Sequence, residues 1–152
     1  MEKIASFTVD HLRLPPGIYL SRQDGDIATY DLRFRRPNAD EPLGNASLHT
    51  IEHLGATYAR SAALADRVVY FGPMGCRTGF YLLLRGVSHA DALELIKETV
   101  RFTADYEGEV PGAAAAECGN WREHDLAKAR KDAAAYYEII RDWTPDKLIY
   151  PN

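Results

Sequence analysis

His49 and His53 stand four residues apart in His49-Thr50-Ile51-Glu52-His53, and that spacing constrains the chain more than any other feature. Two imidazoles at i and i+4 share a face on an α-helix, one turn apart. There they can grip one metal ion, with the Glu52 carboxylate at the edge of that face as an acid/base group. The stretch therefore predicts a helix and a candidate metal site together. The alternative without chemistry is two polar side chains on a solvated helix face.

The rest of the pattern surrounds that helix. Residues 1–14 read as an extended arm carrying Ser6 and His11, closed by the Pro15-Pro16-Gly17 turn signal. Ile18 to Arg22 and Ile27 to Arg35 read as strands of a β-hairpin about Gln23-Asp24-Gly25-Asp26. In the second strand Ile27, Thr29, Asp31 and Arg33 share one face, and Ala28, Tyr30, Leu32 and Phe34 the other. The first helix starts near Asn45 or Ser47 as N-cap and runs to about Leu64, with Leu48, Ile51, Leu54, Tyr58 and Ala62 inward. Arg67 to Phe71 is a short β-rich run, and Phe80 to Arg85 an apolar strand central in a sheet. A second helix spans about His89 to Tyr106 and a third about Arg122 to Trp143, the latter with Leu126, Ala133, Tyr137 and Ile140 on its apolar side. The tail from Lys147 reads as frayed. Strands early and helices later, without βαβ alternation, predict an α+β fold: an antiparallel or mixed sheet packed against three to four helices. At 152 residues with 46% hydrophobic composition, the length fits one domain, 1–152.

A metal held for catalysis needs a third protein ligand and an open position. Cys118 is the leading candidate, at the backbone turn Cys118-Gly119-Asn120; Glu117 beside it and His124 six residues on compete. A His₂Cys set suits zinc, iron(II) or cobalt. Cys76, in Gly75-Cys76-Arg77, has a glycine neighbour and an adjacent cation, so it reads as a proton shuttle or nucleophile, or else as a buried thiol at a sheet edge. Ser6, His11 and Arg33 are lesser candidates; an arginine opposite the apolar face of its strand can grip a carboxylate or hydroxyls. The H-x-x-E-H order also occurs in inverzincin peptidases, where the glutamate activates a metal-bound water. A binding module closed by four ligands is the third reading.

A formal net charge of -4 argues against nucleic acid, and no apolar run approaches membrane-spanning length. The first residues show no secretory signal, so the expected compartment is the cytoplasm, where Cys76 and Cys118 stay unpaired.

Five separated motifs, taken in order, resemble one known family. They are Ser6-Phe7 with Asp10-His11; Tyr30-Asp31-Leu32-Arg33-Phe34 with Pro37-Asn38; His49 to Leu54; Pro73-Met74-Gly75-Cys76-Arg77-Thr78-Gly79-Phe80-Tyr81; and Glu117-Cys118-Gly119-Asn120 with His124-Asp125-Leu126. Over nearly its whole length the chain resembles the S-ribosylhomocysteine lyases, the LuxS proteins that make the autoinducer-2 precursor. The resemblance implies a homodimer with active sites at the interface. It implies one divalent metal per subunit, Fe2+ with Zn2+ or Co2+ as alternatives, held by His49, His53 and Cys118. Glu52 and Cys76 are then the acid/base pair, and Ser6, His11 and Arg33 the substrate contacts. The implied reaction cleaves S-ribosyl-L-homocysteine to L-homocysteine and 4,5-dihydroxypentane-2,3-dione. One segment departs: many members carry acidic and serine side chains just before Pro-Met-Gly-Cys, where this chain has Val69-Tyr70-Phe71-Gly72.

Overall fold

Alternating apolar residues build the sheet first. In the computed structural model, which describes residues 1–151, Gly17–Asp24 (β1) and Ile27–Arg33 (β2) form the expected hairpin about a two-residue turn at Gly25-Asp26. Val68–Pro73 (β3) and Gly79–Arg85 (β4) form a second hairpin, and β2 pairs with β4. The sheet is antiparallel throughout in the order β1-β2-β4-β3, so β4 is central as its apolar run requires. Three helices complete the fold: Asn45–Ala59 (α1), His89–Asp105 (α2) and Leu126–Ile140 (α3). None of the described helices is long and apolar enough to cross a membrane. The α+β expectation holds.

The helices cover one sheet face. Ala28, Tyr30, Leu32 and Phe34 meet Phe71, Phe80, Leu82 and Leu84 in a core shared with Ile51, Ile96, Val100, Ala133 and Tyr136. Three helix limits differ from the sequence reading, one of them the end of α3 at Ile140 instead of Trp143. α1 ends at Ala59, followed by a turn and a 3₁₀ turn at Ala65–Arg67, and its cap is Gly44. Ser47 lies inside the helix and donates to the buried Asp132 carboxylate at 2.6 Å, where Arg35 and Lys128 also converge. α3 begins at Leu126 because the Asp125 side chain accepts from the Lys128 amide, which leaves His124 outside the helix. The buried tyrosine of α3 is Tyr136, not Tyr137. It stacks on Phe34 at 3.9 Å between centroids and donates to the Gly17 carbonyl.

The opposite sheet face is partly covered, which a hairpin with one polar face did not announce. Tyr19, Asp31 and Tyr81 stand in register across β1, β2 and β4. The tail lies over this row instead of fraying. Leu148 is buried, its carbonyl accepts from the Leu20 amide, and Tyr150 stacks on Tyr19 and donates to Asp31 at 2.7 Å. The arm is not extended throughout, having 3₁₀ turns at Ala5–Phe7 and His11–Arg13.

This packing makes stability fall at alkaline pH. Burial pushes Tyr30 up to about 12; burial and then the Asp31 charge push Tyr19 up to about 12; Tyr136 and Tyr150 are raised for the same two reasons. Each phenol is held neutral in the fold but ionises near 10 when unfolded. Their contribution is therefore full below about pH 10 and lost as pH rises toward about 12. The melting midpoint should drop by roughly 10 °C between pH 9 and pH 11.5. A flat midpoint over that interval would show the four rings are not buried as described.

Candidate functional site

α1 presents His49 and His53 one turn apart, half-buried, with ring centroids 4.6 Å apart. Each imidazole is oriented by a backbone carbonyl. His49 Nδ1 lies 2.9 Å from the Glu123 carbonyl and His53 Nδ1 lies 2.8 Å from the Pro111 carbonyl. A carbonyl only accepts, so both Nδ1 atoms carry the hydrogen and both Nε2 lone pairs are free. Gly112 permits the second contact. Its φ is +73°, and a side chain there would press on the His53 ring at 3.0 Å from Nδ1.

The Cys118 sulfur lies 3.3 Å from His49 Nε2. Two ligands at ordinary Zn–S and Zn–N lengths around one tetrahedral ion stand roughly 3.4–3.6 Å apart, so this spacing suits a shared metal. The ligand atoms of His49, His53, Cys118 and His124 all lie within 4.8 Å of one another. Glu117, the carboxylate competitor, is exposed and outside the cluster. His124 joins it in a different attitude, its ring stacked on His49 at 4.1 Å and 21°. Its Nδ1 is 3.0 Å from the Thr50 hydroxyl, and its Nε2 is buried without a hydrogen-bond partner. Burial, then the two neighbouring imidazoles, hold its pKa below the ordinary histidine value. Two imidazoles stacked face to face do not readily direct lone pairs at one tetrahedral ion, so His124 stands in the cluster in a different attitude from His53 and Cys118. Glu52 is half-buried on α1, next to His53 and three residues from His49.

The other sequence candidates gather elsewhere. Ser6, His11, Arg33 and Cys76 line a cleft of about 730 Å³, together with Asn38, Asp40, Thr78 and Tyr81. None of the four cluster residues lines it. The Cys76 turn joins β3 to β4, and Arg77 takes a left-handed φ of 61° within it. Cys76 is exposed rather than a buried thiol. Arg33 is on the predicted face but is 3% exposed and already engaged. It grips Asp31 through Nε at 3.1 Å and Nη2 at 2.6 Å, and Nη1 donates to Thr78 at 2.9 Å. Only residual donor capacity is left for a ligand. In the departing segment the Tyr70 ring lies over Gly72, and any side chain at position 72 would collide with its hydroxyl. The glycine therefore accommodates Tyr70.

Fold and cluster together define a small α+β protein with a His/Cys site able to hold a metal ion. Comparison with known proteins narrows that class. The sequence profile of S-Ribosylhomocysteinase (LuxS) matches residues 4–147. The chain is 51% identical to the S-ribosylhomocysteine lyase of Phocaeicola vulgatus, over 100% of this chain and 99% of that protein. It is 49% identical to that of Clostridium acetobutylicum and 48% identical to that of Desulfotalea psychrophila, both over the full length of each. The chain belongs to the S-ribosylhomocysteinase (LuxS) family, and the peptidase order of its histidine motif is incidental.

Proposed function

We propose that this chain, acting as one domain, is a metal-dependent lyase. It cleaves S-ribosyl-L-homocysteine to L-homocysteine and 4,5-dihydroxypentane-2,3-dione. The observation that carries the reading is the pair of imidazoles locked by carbonyls with Nε2 free beside the Cys118 sulfur. Three donors, two nitrogen and one thiolate, leave room for a substrate oxygen. His49, His53 and Cys118 would hold one divalent ion, Fe2+ by the family resemblance, with Zn2+ or Co2+ accepted by the same donors. When bound, the ion supplies a Lewis acid that polarises the sugar carbonyl.

The chain's own groups then move protons. Cys76 and Glu52 take a proton from one sugar carbon and return it to the next, so that the carbonyl migrates from C1 through C2 to C3. With the ketone at C3 the C4 proton becomes acidic. Its removal expels the thioether sulfur from C5, and that sulfur takes up a proton to leave as homocysteine. Electrons balance without an oxidant. Ser6 and His11 line the cleft where the sugar hydroxyls would lie; His11 Nδ1 donates to the Val9 carbonyl, which leaves Nε2 free for substrate.

The functional unit is a homodimer in this reading. The cleft with Cys76 and the cluster with Glu52 share no lining residue, so each chain carries two half-sites. The arm beside Ser6 and His11 exposes Ile4, Phe7 and Leu12, and Trp121 stands exposed near Cys118. Apolar side chains grouped beside both half-sites mark a surface that another copy covers. Two free cysteines, one of them a metal donor, suit the reducing cytoplasm.

Purified protein loaded with Fe2+ without oxygen and given S-ribosylhomocysteine should release one free thiol per substrate, read with a chromogenic disulfide. Absence of thiol from metal-loaded protein would overturn the proposal.

A further inference from the structure

The exposed Cys76 turn is anchored on buried residues, and one of them, Thr78, touches the sulfur. The Thr78 hydroxyl is 3.1 Å from the Cys76 sulfur and accepts from Arg33 Nη1 at 2.9 Å. Thr78 is 5% exposed and Arg33 3% exposed, whereas Cys76 is open to solvent. Arg33 has no lone pair to offer, so at this contact the Thr78 oxygen is the acceptor. The hydroxyl keeps its single hydrogen, and the Cys76 sulfur at 3.1 Å is within reach to accept it. Thr78 is itself fixed. Its carbonyl accepts from the Phe34 and Arg35 amides, and its branched side chain restricts χ1. Behind it Arg33 is held on both oxygens of Asp31, and Tyr150 donates to Asp31 from the tail.

We propose that Thr78 is a positioning residue for Cys76: its hydroxyl, held by the buried Arg33 guanidinium, donates to the sulfur and aims it into the cleft. The proposal rests on the lyase reading for what Cys76 then does, but not for the contact itself. Relayed through a hydroxyl, the positive charge orders the sulfur while leaving its own coordination open. Chains of hydrogen bonds in a low-dielectric setting strengthen one another, which gives the hydroxyl more donor character than in water.

The test is site-resolved alkylation of Cys76 by iodoacetamide in the metal-loaded, full-length chain, followed by peptide mass spectrometry. Thr78→Val keeps the shape and removes the hydroxyl; alkylation at pH 7 should slow by about tenfold, the order expected for one charge-assisted hydrogen bond. Thr78→Ser keeps the hydroxyl and should stay within about twofold of the parent rate. A merely structural role would not sort the variants by hydroxyl. In turnover, kcat should fall in Thr78→Val with KM unchanged, and Thr78→Ser should restore it. If Thr78→Val does not fold, Thr78→Ala takes its place. Folded Val or Ala variants alkylated at the parent rate would overturn the proposal. Loss of thiol release in the parent enzyme, with the alkylation pattern intact, would sink the lyase reading and leave this one standing.

Discussion

Cys118→Ala should purify with less than about a tenth of the parent metal content, because the cluster loses its only sulfur donor and keeps imidazoles alone, one of them stacked flat on His49. Fold should survive. Cys118 sits on a half-exposed turn, and its sulfur makes no contact with the apolar core. Elemental analysis of anaerobically prepared protein, read beside the melting midpoint, checks both parts. His124→Ala is the paired variant. The stacked attitude of that ring on His49 predicts that metal is retained, with affinity falling by roughly 10- to 100-fold through lost support. If Cys118→Ala keeps its metal and His124→Ala loses it, the ligand set is the three imidazoles.

The second large effect is at Cys76. Cys76→Ala should keep the parent metal content, since the cleft it lines contains none of the cluster residues, and should lose turnover by at least about a thousandfold. A metal-depleted Cys76→Ala would mean that the two cysteines have exchanged roles. The same pair of variants tests whether two chains share one site. In a hybrid dimer, the Cys76→Ala chain supplies an intact cluster and the Cys118→Ala chain an intact Cys76. Half of randomly exchanged dimers are hybrids, and one site in each is whole, so mixing two inactive proteins should recover about a quarter of parent activity. Mixtures that stay inactive after verified subunit exchange would place both half-sites in one chain.

Local patterns carried much of this into view before the structure. The gathering of His49, His53 and Cys118 was legible because it rests on short spacing and a turn beside a glycine. The sheet was legible because β2 alternates and β4 is a continuous apolar run. Three features were not. Arg33 looked free for a ligand because its partners lie outside the pattern of its strand. Asp31 is two residues away, but Thr78 and Tyr150 are 45 and 117 positions along the chain. Tyr136 and Tyr137 are adjacent, and a helical stripe one residue wide in doubt cannot choose between them; stacking on Phe34 decides it. The tail looked frayed because its polar residues hide a single buried Leu148 and a tyrosine whose partner is a charge on a distant strand. His124 was visible as a competitor, but only tertiary packing shows its ring lying flat on His49.

The docked tail and the folded arm also determine where this chain can be handled. Residues near one end line the cleft, and a residue near the other supports the arginine behind the Cys76 turn. Affinity tags and fusion partners attached beside either segment would therefore press on residues that build the cleft. The hairpin tip at Gly25-Asp26 is exposed, lines none of the described cavities around the site, and is the better place to graft a label or tether the enzyme to a surface.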